Sequence, residues 1–252
     1  MNRAVPTLAL FFFLAFAATA QTTNGLSDAE MKGQQLAQQL CEMQPTEDLT
    51  NRGVLEIHGP KGYQKEFPIT FETVVTGSNW MAIYEKTLPT NETGSSKLTV
   101  IHHGSISNQY KMTINFAGQP RLPWTKDRSD IIVKLPFAGD FSAGDLGLEF
   151  FHWPEQKVLK HESRRTRACT ILESTNPDSS AGGYSRVDSW IDDETLSIVH
   201  AEAYDNKGKL LKEFDPKSFK KVNGQWELQD MEIRNVQTGS RTWIKFDLSG
   251  KS

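Results

Sequence analysis

Apolar and polar positions alternate with period two along much of the last third of the chain. Thr242, Ile244, Phe246 and Leu248 share one strand face, while Arg241, Trp243, Lys245 and Asp247 share the other. That is the signature of a strand with one face buried and one wet. Residues 198–204, 210–214, 219–222 and 225–233 are further strand-like runs, separated at Asp205-Asn206-Lys207-Gly208 and Asn223-Gly224, with Thr238-Gly239 closing the last. Asn-Gly between two such runs is a strong hairpin signal, because both central residues of a type I′ turn need positive φ. Residues 184–248 therefore predict an antiparallel meander. Within 225–233 the apolar parity switches from Trp226 and Leu228 to Met231 and Ile233. One extra residue at Gln229-Asp230 accounts for the switch, so a β-bulge is expected there.

The first half carries a different period only once. Ser27-Asp28-Ala29-Glu30 is a capping box, flanked by Leu26 and Met31 as a hydrophobic staple. Leu36, Leu40 and Met43 follow at spacings of four and three, and Pro45 ends the helix. After it, residues 53–58, 63–75, 80–85, 97–102 and 109–115 read as strands between turn-rich pieces. In 96–103 Leu98 and Val100 share a face opposite Thr99 and Ile101. Residues 137–153 break the pattern with Phe141, Leu146, Leu148, Phe150, Phe151 and Trp153, and Ser142 is placed to cap a short helix over 143–151. Residues 157–174 return to strand, with Arg164, Arg165 and Arg167 alternating along it on a wet face. The expected fold is mainly β with some α: one highly curved antiparallel sheet, a half-open barrel, covered on one face by short helices.

The amino terminus changes the picture of where such a sheet works. Arg3, an apolar run over 4–16 and Ala18-Thr19-Ala20 read as a secretory signal cleaved near Ala20. The run is short for a membrane span, which needs about 20 apolar residues; a retained anchor is the alternative. Cleavage leaves residues 21–252 as a single domain exported to a periplasm. Of the 252 residues 28 are basic and 31 acidic; losing Arg3 leaves a net charge of −4. So mild an acidity argues against a nucleic-acid partner. Two cysteines in an exported chain, Cys41 and Cys169, either pair as a disulfide or pack as separate buried thiols.

No catalytic constellation emerges. His102 and His103 are adjacent in a strand and point to opposite faces. The other histidines are isolated, there is no H-E-x-x-H, and no G-x-S-x-G elbow or glycine-rich phosphate loop occurs. Asp192-Asp193-Glu194 fits a solvated hairpin tip. The reading is a non-enzyme with no cofactor and no metal; a hydrolase site assembled from distant residues is the counter-reading. Aromatic content remains: 14 Phe, 6 Trp and 5 Tyr. Phe150-Phe151-His152-Trp153 is either the end of a core helix or the lid of an apolar cavity, since a strongly bent sheet encloses a pocket where its inner face is unfilled.

Several blocks carry a resemblance. They are Gly183-Tyr184-Ser185-Arg186-Val187, Trp190-Ile191-Asp192, Ala203-Tyr204-Asp205, Gly208-Lys209, Val222-Asn223-Gly224, Met231-Glu232-Ile233, Thr238-Gly239 and Arg241-Thr242, preceded by Gly139-Asp140-Phe141-Ser142-Ala143-Gly144-Asp145-Leu146. Together they resemble the outer-membrane lipoprotein-sorting (LolA-like) family of bacterial periplasmic proteins, over roughly half of the mature chain. The resemblance implies a half-open barrel whose apolar hollow shields an acyl chain. It also implies a lipid or acylated lipoprotein as partner, with inner-membrane release and outer-membrane acceptor proteins on either side. Relatives with this barrel bind other lipids or act as envelope sensors, so a filled-core interaction module is the rival. For a carrier, the expected cavity lining is Leu98, Val100, Ile244 and Phe246 on the sheet, with Leu146, Phe150 and Phe151 as cover.

Overall fold

The computed structural model describes residues 25–77, 79–87, 94–116, 122–125, 136–177, 183–222 and 224–248. The secretory signal lies outside them. Helix α1 spans Asp28–Glu42. Six strands follow: β1 (Leu49–His58), β2 (Gln64–Thr76), β3 (Asn79–Thr87), β4 (Gly94–His103), β5 (Ile106–Phe116) and β6 (Leu122–Thr125). A small hairpin, β7 (Pro136–Ala138) with β8 (Phe141–Ser142), leads into the one-turn helix α2 (Ala143–Leu146) and a 3-10 turn at Glu149–His152. The second run is β9 (Glu155–Arg164), β10 (Arg167–Thr175), β11 (Arg186–Asp192), β12 (Ile198–Tyr204), β13 (Leu210–Val222), β14 (Gln225–Asn235) and β15 (Arg241–Asp247).

Among the described residues thirteen of these strands form one sheet in the order β6-β5-β4-β3-β2-β1-β15-β14-β13-β12-β11-β10-β9. The topology is two meanders joined at their inner ends. β1 pairs antiparallel with β15, from Arg52 opposite Asp247 to His58 opposite Arg241. The chain walks outward to β6, then along the segment from β7 to the 3-10 turn, and re-enters at the far edge as β9. Short hairpin links make this order easy to reach. Gly53 belongs at the seam: a Cβ there would lie 2.0 Å from the Lys245 carbonyl oxygen.

The inner face holds the core. Leu55, Ile69, Leu98, Val100, Ile244 and Leu248 are fully buried and pack with Phe141, Ala143 and Leu146 from the connecting segment. A second cluster joins Ala37 of α1, Phe150 and Phe151 to Leu172, Val187, Ile191, Ala201 and Ala203. A small third cluster, Cys169, Ile171 and Trp190, lies on the opposite side of β10 and β11.

Helix α1 has the expected capping box, with Ser27 and Glu30 each satisfying the other's amide. Its contact face differs from the expected stripe. Leu26, Met31 and Met43 are about half exposed, and Gly33 and Ala37 are the buried positions. The reason is distance: a Cβ on Gly33 would stand 2.4 Å from the Lys157 amide nitrogen of β9. Small residues at i and i+4 let the helix lie directly on the strand, with Leu36 and Leu40 half-buried beside it.

The meander is as expected, including the bulge. Register passes from Ser218 opposite Asp230 to Phe219 opposite Leu228, leaving Gln229 extra, and Lys217 is extra on β13. Two expectations fail. Residues 157–174 are two strands, not one, because the chain reverses at Arg165-Thr166, both left-handed with φ of 50° and 65°. The Arg165 guanidinium donates to the Pro216 carbonyl at 2.6 Å and to Asp215 at 2.9 Å, which anchors a turn lacking glycine. Residues 210–214 and 219–222 form one strand through Pro216, tolerated because the pairing of β12 with β13 ends at Phe214.

Gly33→Val is expected to destabilise the protein by about 2 kcal/mol through overpacking against β9. Urea unfolding checks it, with Gln34→Val as the exposed control; a loss no larger than the control's contradicts the close approach.

Candidate ligand-binding hollow

The segment between the two meanders is a lid held at two ends. Ser142 caps α2, and its hydroxyl accepts from the Asp145 amide while Asp145 accepts from Ser142. The helix expected over 143–151 breaks after one turn. Gly147 lies so close to β5 that a Cβ would meet the Tyr110 hydroxyl at 2.2 Å, and Leu148 turns left-handed at φ 51° before the 3-10 turn.

At the first end, motif residues far apart in sequence converge. The Asp140 amide donates to Thr242 Oγ1 at 2.9 Å, and its carboxylate accepts from Ser240 and Thr242 at 2.6 and 3.0 Å. Lys212 donates to the Asp140 carbonyl at 2.6 Å and to Asp145 at 3.2 Å, and the Tyr184 hydroxyl donates to Asp145 at 2.7 Å. Gly139, at φ 58°, is required here: a Cβ would lie 2.2 Å from Thr242 Oγ1. At the second end, the Asn108 side chain donates to the Gly147 carbonyl at 2.8 Å, and Tyr110 donates to Glu149 at 2.7 Å. Glu149 is 8% exposed, and burial pushes its carboxyl up to about 7 against the hydrogen bonds from Tyr110 and Asn108.

Between the lid, the last turn of α1 and strands β2–β4 lies a hollow of about 150 Å³. Leu40, Phe71, Ala82, Tyr84, Leu146 and Phe151 supply its apolar walls. Phe71 and Tyr84 face each other across β2 and β3 with ring centroids 4.9 Å apart. Of the seven residues expected to line a cavity, Leu146 and Phe151 border this hollow and Phe150 borders a smaller one of about 30 Å³ near Tyr184 and Phe214. Leu98, Val100, Ile244 and Phe246 point to the same inner face but are packed into the core and line neither. The wall residues on β3 have a sequence signal: Trp80, Ala82 and Tyr84 share one face by alternation. Leu40 and Met43 belong to the apolar stripe expected on the helix, and Cys41 lies beside them.

A larger open notch of about 600 Å³ lies between the β9–β10 turn, the start of β12 and the middle of β13. It is bordered by Phe219 and by Trp226, which is 70% exposed and so takes no part in filling the barrel.

Cys41 and Cys169 are free cysteines in this structure. Cys41 packs with the α1 cluster and Cys169 with Trp190 in the small third cluster. Cys41 Sγ is 3.6 Å from His152 Nδ1, a spacing that suggests a nucleophile pair. Burial, with Glu149 and Glu42 nearby, pushes the thiol up to about 12, and burial lowers the His152 pKa. An activated thiol needs the opposite shift. Among the described residues no group of three or more His, Cys, Asp or Glu is arranged for a metal, and no helix is long and apolar enough to cross a membrane.

Comparison with known proteins bears on the fold. A family model whose description reads "uncharacterized protein" matches residues 136–248. No curated protein matches the chain. Among solved structures, a DUF1329 family protein from Desulfovibrio piger aligns with TM-score 0.70 and 20% identity over 90% of this chain and 96% of that one. A putative outer membrane lipoprotein-sorting protein domain from Vibrio parahaemolyticus gives TM-score 0.70 and 19% identity, covering 88% and 94%. A LolA superfamily protein from Nitrosomonas europaea gives 0.58 and 16%, covering 88% and 92%. The chain has the LolA-like fold. In this LolA-like fold the blocks that carried the resemblance serve structure: Asp140, Asp145, Tyr184 and Thr242 clasp the lid.

The second clasp gives a pH dependence. Glu149 keeps its proton to about pH 7 when folded, against an ordinary glutamate value of 4.5. The unfolded chain therefore releases the proton first, and stability is lost as pH rises through this window. Urea unfolding of the wild type and Glu149→Gln at pH 5 and pH 8 is expected to show the wild type losing about 2–3 kcal/mol relative to the variant; parallel pH profiles contradict the assignment.

Proposed function

We propose that the protein is an exported, non-enzymatic carrier that shelters the acyl chain of a lipid or lipoprotein on the inner face of its sheet. The observation that carries this reading is the apolar hollow beneath a lid held by polar clasps at each end. An acyl chain in water costs about 0.8 kcal/mol per methylene, so a soluble carrier must cover it. The hollow of about 150 Å³ matches the size of a cavity that takes a single benzene; ligand sites generally run to about 300–1,000 Å³. Loading a whole chain thus requires the lid, the end of α1 or both to move outward. The phenyl rings of Phe150 and Phe151 make no hydrogen bonds, the backbone carbonyls accepting from Gln156 instead, and are suited to exchanging contact with the sheet for contact with a guest. The signal at residues 1–20 supports work in a periplasm, with an inner-membrane donor and an outer-membrane acceptor as partners.

A second reading has its own support. Leu98, Val100, Ile244 and Phe246 already fill much of the barrel, as an interaction or sensor module with a solid core would have them. The two readings part on guest uptake.

Native mass spectrometry and lipid extraction of the mature protein from its own envelope are expected to recover an acylated species, and the purified protein to take up a fluorescent fatty acyl probe. Met43 and Leu148 border the hollow and are about 45% and 37% exposed. Met43→Asp and Leu148→Asp are expected to weaken probe binding at least about tenfold, since an ionised group disfavours an apolar guest, with stability changed by about 0.5 kcal/mol or less. Absence of both acylated species and probe uptake favours the filled-core module.

A further inference from the structure

Besides Cys41 and His152 at the end nearest α1 and the lid, the hollow's polar side chains are two rings on neighbouring strands that lie face to face. Trp80, near the start of β3, is directly opposite His102, near the end of β4. Their rings stack with centroids 3.8 Å apart and planes 8° from parallel. Both line the hollow. Trp80 Nε1 and His102 Nε2 are both buried; Trp80 Nε1 has no hydrogen-bond partner among the described residues, and Asn108 is the side chain that interacts with the His102 imidazole.

An indole N–H can only donate. A buried donor left without an acceptor is costly, and one acceptor atom recovers that cost. A guest whose entry parts the lining and brings an oxygen to Trp80 Nε1 therefore gains more than its apolar surface alone supplies. The charge state narrows the oxygen's identity. Burial, with His152 nearby, lowers His102 to about 4 against the hydrogen bond with Asn108, so the imidazole is neutral at physiological pH. No cation among the hollow's lining side chains balances a phosphate or carboxylate, and an unpaired anion there would be strongly disfavoured. A neutral carbonyl meets no such penalty. It can accept from Trp80 Nε1 and, in the tautomer protonated at Nε2, from His102.

We propose that Trp80 and His102 form the polar end of the hollow and bind the ester carbonyl of an acylated guest, so that the protein selects acyl esters over alkyl chains of equal length. The inference deepens the carrier reading and rests on it. With the carbonyl held there, the hydrocarbon continues against Phe71, Tyr84, Leu146 and Phe151.

The test compares a 1-monoacylglycerol with the 1-alkyl glycerol ether of the same chain length, which lacks only the carbonyl, by displacement of a fluorescent acyl probe. The wild type is expected to bind the ester about tenfold more tightly. Trp80→Phe keeps a stacked ring and removes the N–H; it is expected to bring the ester's affinity down to the ether's while leaving the ether's unchanged. Equal affinities in the wild type, or an ester preference that survives Trp80→Phe, overturn the polar end and leave the carrier reading standing. Failure of the wild type to bind either compound overturns both.

Discussion

The structure depends on the seating of residues 136–153, with helix α1 beside them, against the inner face of the sheet. That seating is apolar in area and polar in position. Phe141 and Leu146 bury surface, which is non-directional; the network of Asp140 and Asp145 with Lys212, Tyr184, Ser240 and Thr242 decides where they sit. Asp145 and Lys212 are both largely buried. Removing one partner from such a pair leaves the other as an uncompensated charge, whereas the intact pair adds modest net stability. The network is therefore better understood as fixing geometry than as a source of stability. It ties the middle of the chain to β13 and β15, and β15 to β1 in turn, so one polar cluster sets the relation of lid, seam and both meanders.

What was legible in the sequence follows from how local each cause is. Ser27 with Glu30 acts over three residues and its capping box could be read directly, as could Ser142 as a helix cap. The bulge at Gln229 could be read because it inverts an apolar parity that lies on one strand. The reversal at Arg165-Thr166 could not, since its anchors, Asp215 and Pro216, are fifty residues away and no glycine marks it. Gly33 was similarly hidden: a helix read by its large apolar residues points to Met31 and Met43, while a backbone at van der Waals distance selects for the absence of a side chain.

The site itself was only partly legible, for a related reason. Alternation assigns residues to a face but does not say which positions on that face touch open space. Leu98 and Val100 share the inner face with Tyr84 and Phe71, and every one of them reads as inward. Whether a position is filled depends on what the lid sets above it, and the lid ends where Gly147 meets Tyr110. The aromatic residues at the edge of that contact border space, and the aliphatic residues beneath the lid's centre do not. Trp226 shows the converse, a large apolar residue beyond the lid's reach that remains exposed.

The titratable groups around the hollow extend the same constraint to chemistry. Burial raises the Tyr84, Tyr110 and Cys41 pKa values and lowers those of His102 and His152. Each shift favours the uncharged form, as a low-dielectric surrounding dictates. A hydrolytic site would need at least one of these groups held in the ionised or readily ionised state against that trend. Glu149 is placed to change charge near neutral pH, and it sits on the lid's anchor, not among the residues that line the hollow. The named groups around the hollow thus favour their uncharged forms, and a titrating carboxyl lies where the lid is fastened.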